Sequence, residues 1–423
     1  MNFKTTTLAA AVALLALGQP VQAQSNKELD ELRQEIRKLR EEVNALKKGG
    51  AAPAAKPADT SGWGEKIEQL ELKQNDAVVL GDIPGSFRLP GSETSVHIYG
   101  YAEAHLIHDF KGTAPGDNFT NLPEQPLPPY TSGTTVLTAQ TSRFGFETST
   151  PTALGPFTTK LEMDFYAYCG SECNRNRLRL RHAYGEYAGW LIGQTWSTFM
   201  DLDNLPETVD FNGPIGSPFS RRTMVRYTYN DPQFAKFTFA AENPEAGAQM
   251  PNLVARVDKS WDWGAVNARL LGHQVRVETN GQAKSKNGVG FGIGGSYKLT
   301  DKDLLMGQYT KVDGDIDNLY GANGYTTDAD GNILFDNSWG VVLGYARTFS
   351  DQLRGTIAYG YLKGDTPDIG LNNRTLWQSH FNLIYSPIKN VEFGGEYIVG
   401  QRKTFNGGQS TLSRFDLMGR YSF

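Results

Sequence analysis

With 423 residues the chain is longer than one ordinary globular domain needs, which leaves several domains or one large closed architecture. A formal charge of −5 with no basic tract gives no reason to expect a nucleic-acid partner. A mean hydropathy of −0.44 reads as soluble, yet a membrane barrel averages to such a value because its apolar residues fill only alternate positions.

Residues 1–23 carry Lys4, an apolar run from Leu8 to Leu17, then Gly18, Pro20 and Val21-Gln22-Ala23, the pattern of a secretory signal cleaved before Gln24. Export is therefore expected, and no later stretch approaches the about 18 apolar residues of a spanning helix. From Leu29 the apolar residues Leu29, Leu32, Ile36, Leu39, Val43 and Leu46 are spaced three and four apart, a heptad seam. A helix of about 20 residues is marginal alone in water, so residues 24–48 are predicted to be a periplasmic coiled coil that joins chains. One amphipathic helix lying on its own domain is the alternative. Ile and Val at one core position with Leu at the other favour two strands in a free peptide. Residues 49–93 read as a flexible linker, with GGAAPAAKPAD at its start, followed by a plug-like segment around Ile67, Leu70 and Leu72.

From 94 to 423 the chain alternates apolar and polar residues in segments separated by turn-rich stretches. The first puts Val96, Ile98, Gly100, Ala102, Ala104 and Leu106 on one face and His97, Tyr99, Tyr101, Glu103 and His105 on the other. Short turns at Pro151 to Gly155, Ala188-Gly189, Asp231-Pro232, Asp262 to Gly264, Leu299 to Lys302, Ser350 to Gln352 and Pro387 to Asn390 alternate with long loops. The loops are Lys111 to Thr134, Cys169 to Arg175, Met200 to Ser220, Asn243 to Met250, Glu278 to Asn287, Val312 to Asp336, Lys363 to Asn373 and Lys403 to Gln409. This count predicts an all-β fold, a transmembrane antiparallel β-barrel of about 16 strands behind an N-terminal α-helical coiled coil. A barrel that wide leaves an aqueous channel. A soluble β-sandwich has no need of the last strand, where Phe415, Leu417, Gly419, Tyr421 and the terminal Phe423 share one face. That ending resembles the signal by which the barrel assembly machinery recognises outer-membrane barrels, with lipids and lipopolysaccharide then surrounding them.

Cys169 and Cys173 are expected to close a small disulfide in an oxidising compartment, since a metal site wants more ligands than this pair supplies. No metal or cofactor is expected. The six histidines, His97, His105, His108, His182, His273 and His380, lie in neither a nucleophile elbow nor an HExxH arrangement, so an outer-membrane hydrolase is disfavoured.

The runs TAQTSRFGFET (138–148), RLRLRHAYGEY (177–187) and GQTWSTFMDLDNLPETVDFNGP (193–214) resemble the DcaP-like porins. The resemblance implies a 16-stranded outer-membrane homotrimer with a periplasmic coiled coil, and a channel for small anionic solutes, dicarboxylates especially. Arg177, Arg179 and Arg181 alternate with Leu178 and Leu180 and so share one strand face. On the lipid face each would cost about 2–4 kcal/mol near the midplane, so they are expected in the lumen. Arg143, followed by Phe144 and Phe146, and Arg226 between Val225 and Tyr227 follow them, with Arg256, Arg354, Arg414 and Arg420 behind. The stretch from Met200 to Ser220 carries Asp201, Asp203, Glu207 and Asp210 and is bent by Gly213, Pro214, Gly216 and Pro218. Porin-like, it should fold inward and set its acids against the wall arginines in a transverse field that sorts solutes by charge. Purely structural arginines, a solvated surface loop, an adhesive role and a sugar-specific or general diffusion porin are the competing readings.

Overall fold

The computed structural model describes residues 79–112, 120–129, 133–167, 177–279, 281–365 and 372–423, together with Gln34, Arg37, Lys38, Arg40 and Glu41, which are helical and exposed. The signal segment, all six residues of the heptad seam, the plug-like residues Ile67 to Leu72 and both cysteines lie outside the described residues.

The chain divides into two compact units, 1–97 with 148–151 and 98–147 with 152–423. In the first, the short strands Val79–Leu80 and Phe87–Arg88 pair antiparallel, and Phe87 and Arg88 then face Val96 and Ser95. Residues 79–93 fall within the stretch read as linker and plug-like segment. A tight turn reverses the chain there, its Ser86 hydroxyl donating to the Ile83 carbonyl and Arg88 pairing with Asp82 at 2.9 Å.

The second unit is a closed antiparallel barrel of 16 strands. Its strands are β1 (Ser95–Lys111), β2 (Thr134–Thr138 and Arg143–Thr150), β3 (Phe157–Ala167), β4 (Arg177–Tyr187), β5 (Trp190–Trp196), β6 (Arg221–Asn230), β7 (Lys236–Glu242) and β8 (Asn252–Trp261). They continue as β9 (Gly264–Thr279), β10 (Gln282–Thr300), β11 (Asp303–Asp313), β12 (Asn337–Ser350), β13 (Leu353–Lys363), β14 (Asn373–Ile388), β15 (Val391–Thr404) and β16 (Gln409–Ser422). Closure comes from β16 pairing with β1, Tyr421 opposite Ala102 and Leu417 opposite Leu106. Phe423 completes the seam by exchanging backbone hydrogen bonds with Gly100 at 3.0 and 3.2 Å.

The side chains alternate as a barrel in lipid requires. On β1, Ile98, Leu106 and Phe110 are exposed while Glu103, His105 and Asp109 are buried, so the apolar face meets hydrocarbon and the polar face the interior. Stacked Trp261 and Trp263, ring centroids 4.9 Å apart, sit at the turn between β8 and β9, where amphipathic rings suit the membrane interface.

One expected loop is absent. Glu278 to Asn287 continues the ladder, Glu278 opposite Ala283 and Gln274 opposite Asn287, and the hairpin turns only between Thr279 and Gln282. A strand with water on both faces loses its apolar–polar alternation, so the polar run ETNGQAKSKN looked like a loop. The Lys403 to Gln409 loop likewise shortens, with Lys403 already opposite Gln409.

Candidate pore constriction

The connection from β5 to β6 turns into the barrel. Phe199, Met200, Asp201, Asn204, Asp210, Ile215 and Ser217 are all buried. Its entry is fixed by Glu242 of β7, which accepts from the Thr198 amide and the Ser197 hydroxyl, both at 2.7 Å. Arg269 of β9 donates to the Phe199 carbonyl at 2.8 Å. The return leg lies so close to the wall that a Cβ at Gly360 would overlap the Ile215 carbonyl oxygen, and one at Gly340 would overlap Gly216. Glycine is what lets backbone approach backbone there.

The loop acids meet wall arginines, but not the ones on β4. Asp203 is 3.3 Å from Arg256, and Asp201 lies at the edge of ion-pair range from the same guanidinium at 4.0 Å. Glu207 accepts a two-pronged contact from Arg354 at 2.8 and 2.9 Å. Asp210 accepts from the Thr120 amide and hydroxyl at 2.8 and 3.0 Å and stands 3.8 Å from Arg414. These are direct contacts that tether the loop, rather than charges opposed across an open lumen. The arginines they reach, Arg256, Arg354 and Arg414, are among the wall arginines expected to face the lumen. The sequence could not say which of the many wall arginines the loop would reach.

Opposite those tethers, Phe211 stacks on Tyr166 of β3, ring centroids 4.9 Å apart and planes 12° from parallel. Around this pair lies the arginine patch. Arg179 contacts both oxygens of Asp164 at 2.9 and 2.6 Å, and Arg181 reaches Glu162 at 2.7 Å and Asp164 at 2.8 Å. Arg143 stands 3.4 Å from Glu162. Leu178 and Leu180 are exposed on the opposite face of β4, whereas Arg181 is buried. Arg177 is exposed at the start of the strand and has no ion pair among the described residues. The ladder is interrupted by a register shift opposite Glu162 and Met163, which also leaves His182 buried beside Arg181, its Nδ1 3.0 Å from the Thr195 hydroxyl.

Arg221 is the member that alternation missed, because Arg221 and Arg222 are adjacent and cannot share a strand face. Its guanidinium lies 4.2 Å over the Trp196 ring. Among the described residues no carboxylate comes within ion-pair distance of it, and its Nε and Nη2 have no hydrogen-bond partner. Arg226 faces a polar recess lined also by Glu186, Lys236 and Asp258. Glu162 and Asp164 were also missed, although they alternate with Leu161, Met163 and Phe165 as plainly as the arginines do with their leucines. Tyr166 and Phe211 carried no signal of their own.

Elsewhere on the wall His105 bridges Asp416 at 2.9 Å and Glu103 at 3.0 Å, and Arg420 pairs with Glu103. Among the described residues no cluster of His, Cys, Asp and Glu has the arrangement of a metal site.

The sequence profile of the DcaP outer membrane protein family matches residues 62–423. The chain is similar to the crystal structure of the outer membrane channel DcaP of Acinetobacter baumannii, with 27% identity over 82% of this chain and 100% of that one, at a TM-score of 0.73. It shares its fold with the outer membrane protein OmpT of Vibrio cholerae, at 14% identity over 79% of this chain and 99% of that one, TM-score 0.54. The same holds for Salmonella typhi OmpF, at 12% identity over 78% and 98%, TM-score 0.53. No curated protein matches the sequence.

Proposed function

This chain belongs to the DcaP outer membrane protein family and is an outer-membrane channel rather than an enzyme, and from that we propose that it passes small anionic solutes, dicarboxylates or aromatic acids, by diffusion past its arginine patch. The observation that carries this reading is one of number. Arg143, Arg179, Arg181 and Arg221 stand together, and the carboxylates among them are Glu162 and Asp164. Four guanidiniums against two carboxylates leave positive charge over. It cannot be neutralised by deprotonation, since a guanidinium stays charged at any working pH. Its planar fork matches a carboxylate.

Retention has to be weak for the solute to leave, so millimolar affinity, about −4 kcal/mol, suits the task. A sugar-specific or general diffusion pore is the alternative. The rings here argue against a sugar track, because Tyr101, Tyr166, Trp196 and Phe211 each face a guanidinium at 4.2 to 5.8 Å instead of an open path. The heptad seam supports self-association through a periplasmic coiled coil without choosing a trimer over a dimer; assembly as a homotrimer is supported by OmpT of Vibrio cholerae, a protein of the same fold that is known in a trimer form. The test is block of the single-channel current by succinate or phthalate. Wild-type protein is expected to be blocked and Arg221→Gln to be blocked less; equal block by a neutral sugar of the same size would refute the reading.

A further inference from the structure

Glu396 of β15 is fully buried, as is His380 beside it on β14. Its two oxygens collect four donors. Oε2 accepts from the Val209 amide at 2.8 Å and from Asn382 Nδ2 at 2.9 Å; Oε1 accepts from the Asp210 amide at 3.1 Å and lies 2.9 Å from His380 Nδ1. Two of the four are main-chain N–H groups of the inward loop, and they immediately precede Phe211, whose ring reaches Tyr166 on the other side. The loop is thus gripped by its backbone just behind its apex. Backbone amides hold their place whatever the side chains do, whereas the tether between Glu207 and Arg354 joins two long, partly exposed side chains and is worth correspondingly less.

Only a carboxylate fits this cradle. Whichever way it is turned, the amide of a glutamine would point its own N–H groups at a main-chain N–H of the loop, that of Val209 or that of Asp210, and buried donors left unpaired are costly. We propose that Glu396 is the positioning residue of the constriction: without touching the solute path, it sets the bore by holding the Val209 and Asp210 amides and, through them, Phe211. The inference rests on the reading of the loop as the constriction.

The test uses full-length protein in planar bilayers, with heat-modifiable electrophoretic mobility as the check on folding. It compares wild type, Glu396→Gln, a loop-shortened variant lacking residues 206–213, and the two changes combined. Shortening the loop is expected to raise the single-channel conductance. Glu396→Gln is expected to raise the conductance toward that value, with added open-channel noise, and to add nothing in the shortened background. A Glu396→Gln channel as narrow and quiet as wild type, beside a wider shortened channel, overturns the proposal and spares the constriction. An effect of Glu396→Gln that persists without the loop also overturns it, since the residue would then act on the wall. If neither change widens the channel, the constriction itself is refuted and the proposal with it. Should the shortened protein fail to fold, Phe211→Ala takes its place; should Glu396→Gln fail, Glu396→Asp, which keeps the charge and withdraws it from the two amides, is expected to act in the same direction.

Discussion

Phe211 and Tyr166 stack across the barrel interior at 4.9 Å, one on the loop and one on the wall, with the Arg179 guanidinium over both rings at 5.7 and 5.2 Å. An aromatic pair of this geometry contributes about 0.5–1.5 kcal/mol beyond its buried area, enough to keep a loop apex in one place most of the time. Tyr166→Ala is expected to raise open-channel noise, and Tyr166→Phe to leave the current unchanged. A quiet Tyr166→Ala channel would show that the stack holds nothing.

The close approach of the loop to β13 makes a second prediction. A side chain at Gly360 meets the Ile215 carbonyl, whereas one at Gly419 meets only ordinary contacts with Phe393 at 3.8 Å. Overpacking of this kind costs about 1–3 kcal/mol. Gly360→Val should lower the temperature of barrel unfolding in detergent or alter the conductance, and Gly419→Ala should do neither.

Closure of the barrel contains a buried ion pair, Arg414 of β16 with Asp109 of β1, whose second contact is 2.9 Å and whose members are both nearly inaccessible. Breaking such a pair from one side costs about 3–5 kcal/mol because the other charge stays buried. Arg414→Ala is expected to unfold in denaturant well before wild type. Arg414→Met with Asp109→Leu should recover much of the loss, and failure of the double variant to improve on the single one would deny the pair its role.

Outside the membrane-spanning strands, Glu245 lies in the loop after β7. Burial first, then Asp317 and Asp315, push its carboxyl above the ordinary range. The folded value is the higher one, so its share of stability is present below the unfolded carboxylate value and is lost as pH rises through the folded value. Amide exchange in residues 243–251 should therefore be faster at about pH 8 than the intrinsic rate change accounts for relative to about pH 5. Glu245→Gln should remove that excess.

Strand number, the inward turn of Arg179 and Arg181 and most of the short turns were legible because alternation reports directly on which face meets lipid. Ile98 and Leu106 against Glu103 and His105 is that signal in its plain form. Partnerships were not legible. Asp164 serves two arginines from the neighbouring strand and Asp210 reaches Thr120 from a different loop, and nothing in local spacing encodes contacts between strands whose register is unknown. Arg221 escaped for a related reason, since its role depends on the Trp196 ring opposite it across β5 and β6.

Surplus positive charge around Glu162 and Asp164 should appear as a sign. Under a KCl gradient across a planar bilayer, the reversal potential of the wild-type channel is predicted to lie on the anion-selective side. Arg143→Gln with Arg221→Gln should move it toward zero while the contacts of Arg179 and Arg181 with Asp164 keep the barrel folded. A wild-type reversal potential on the cation-selective side, or one that the double variant leaves unchanged, would contradict the assignment of selectivity to this patch.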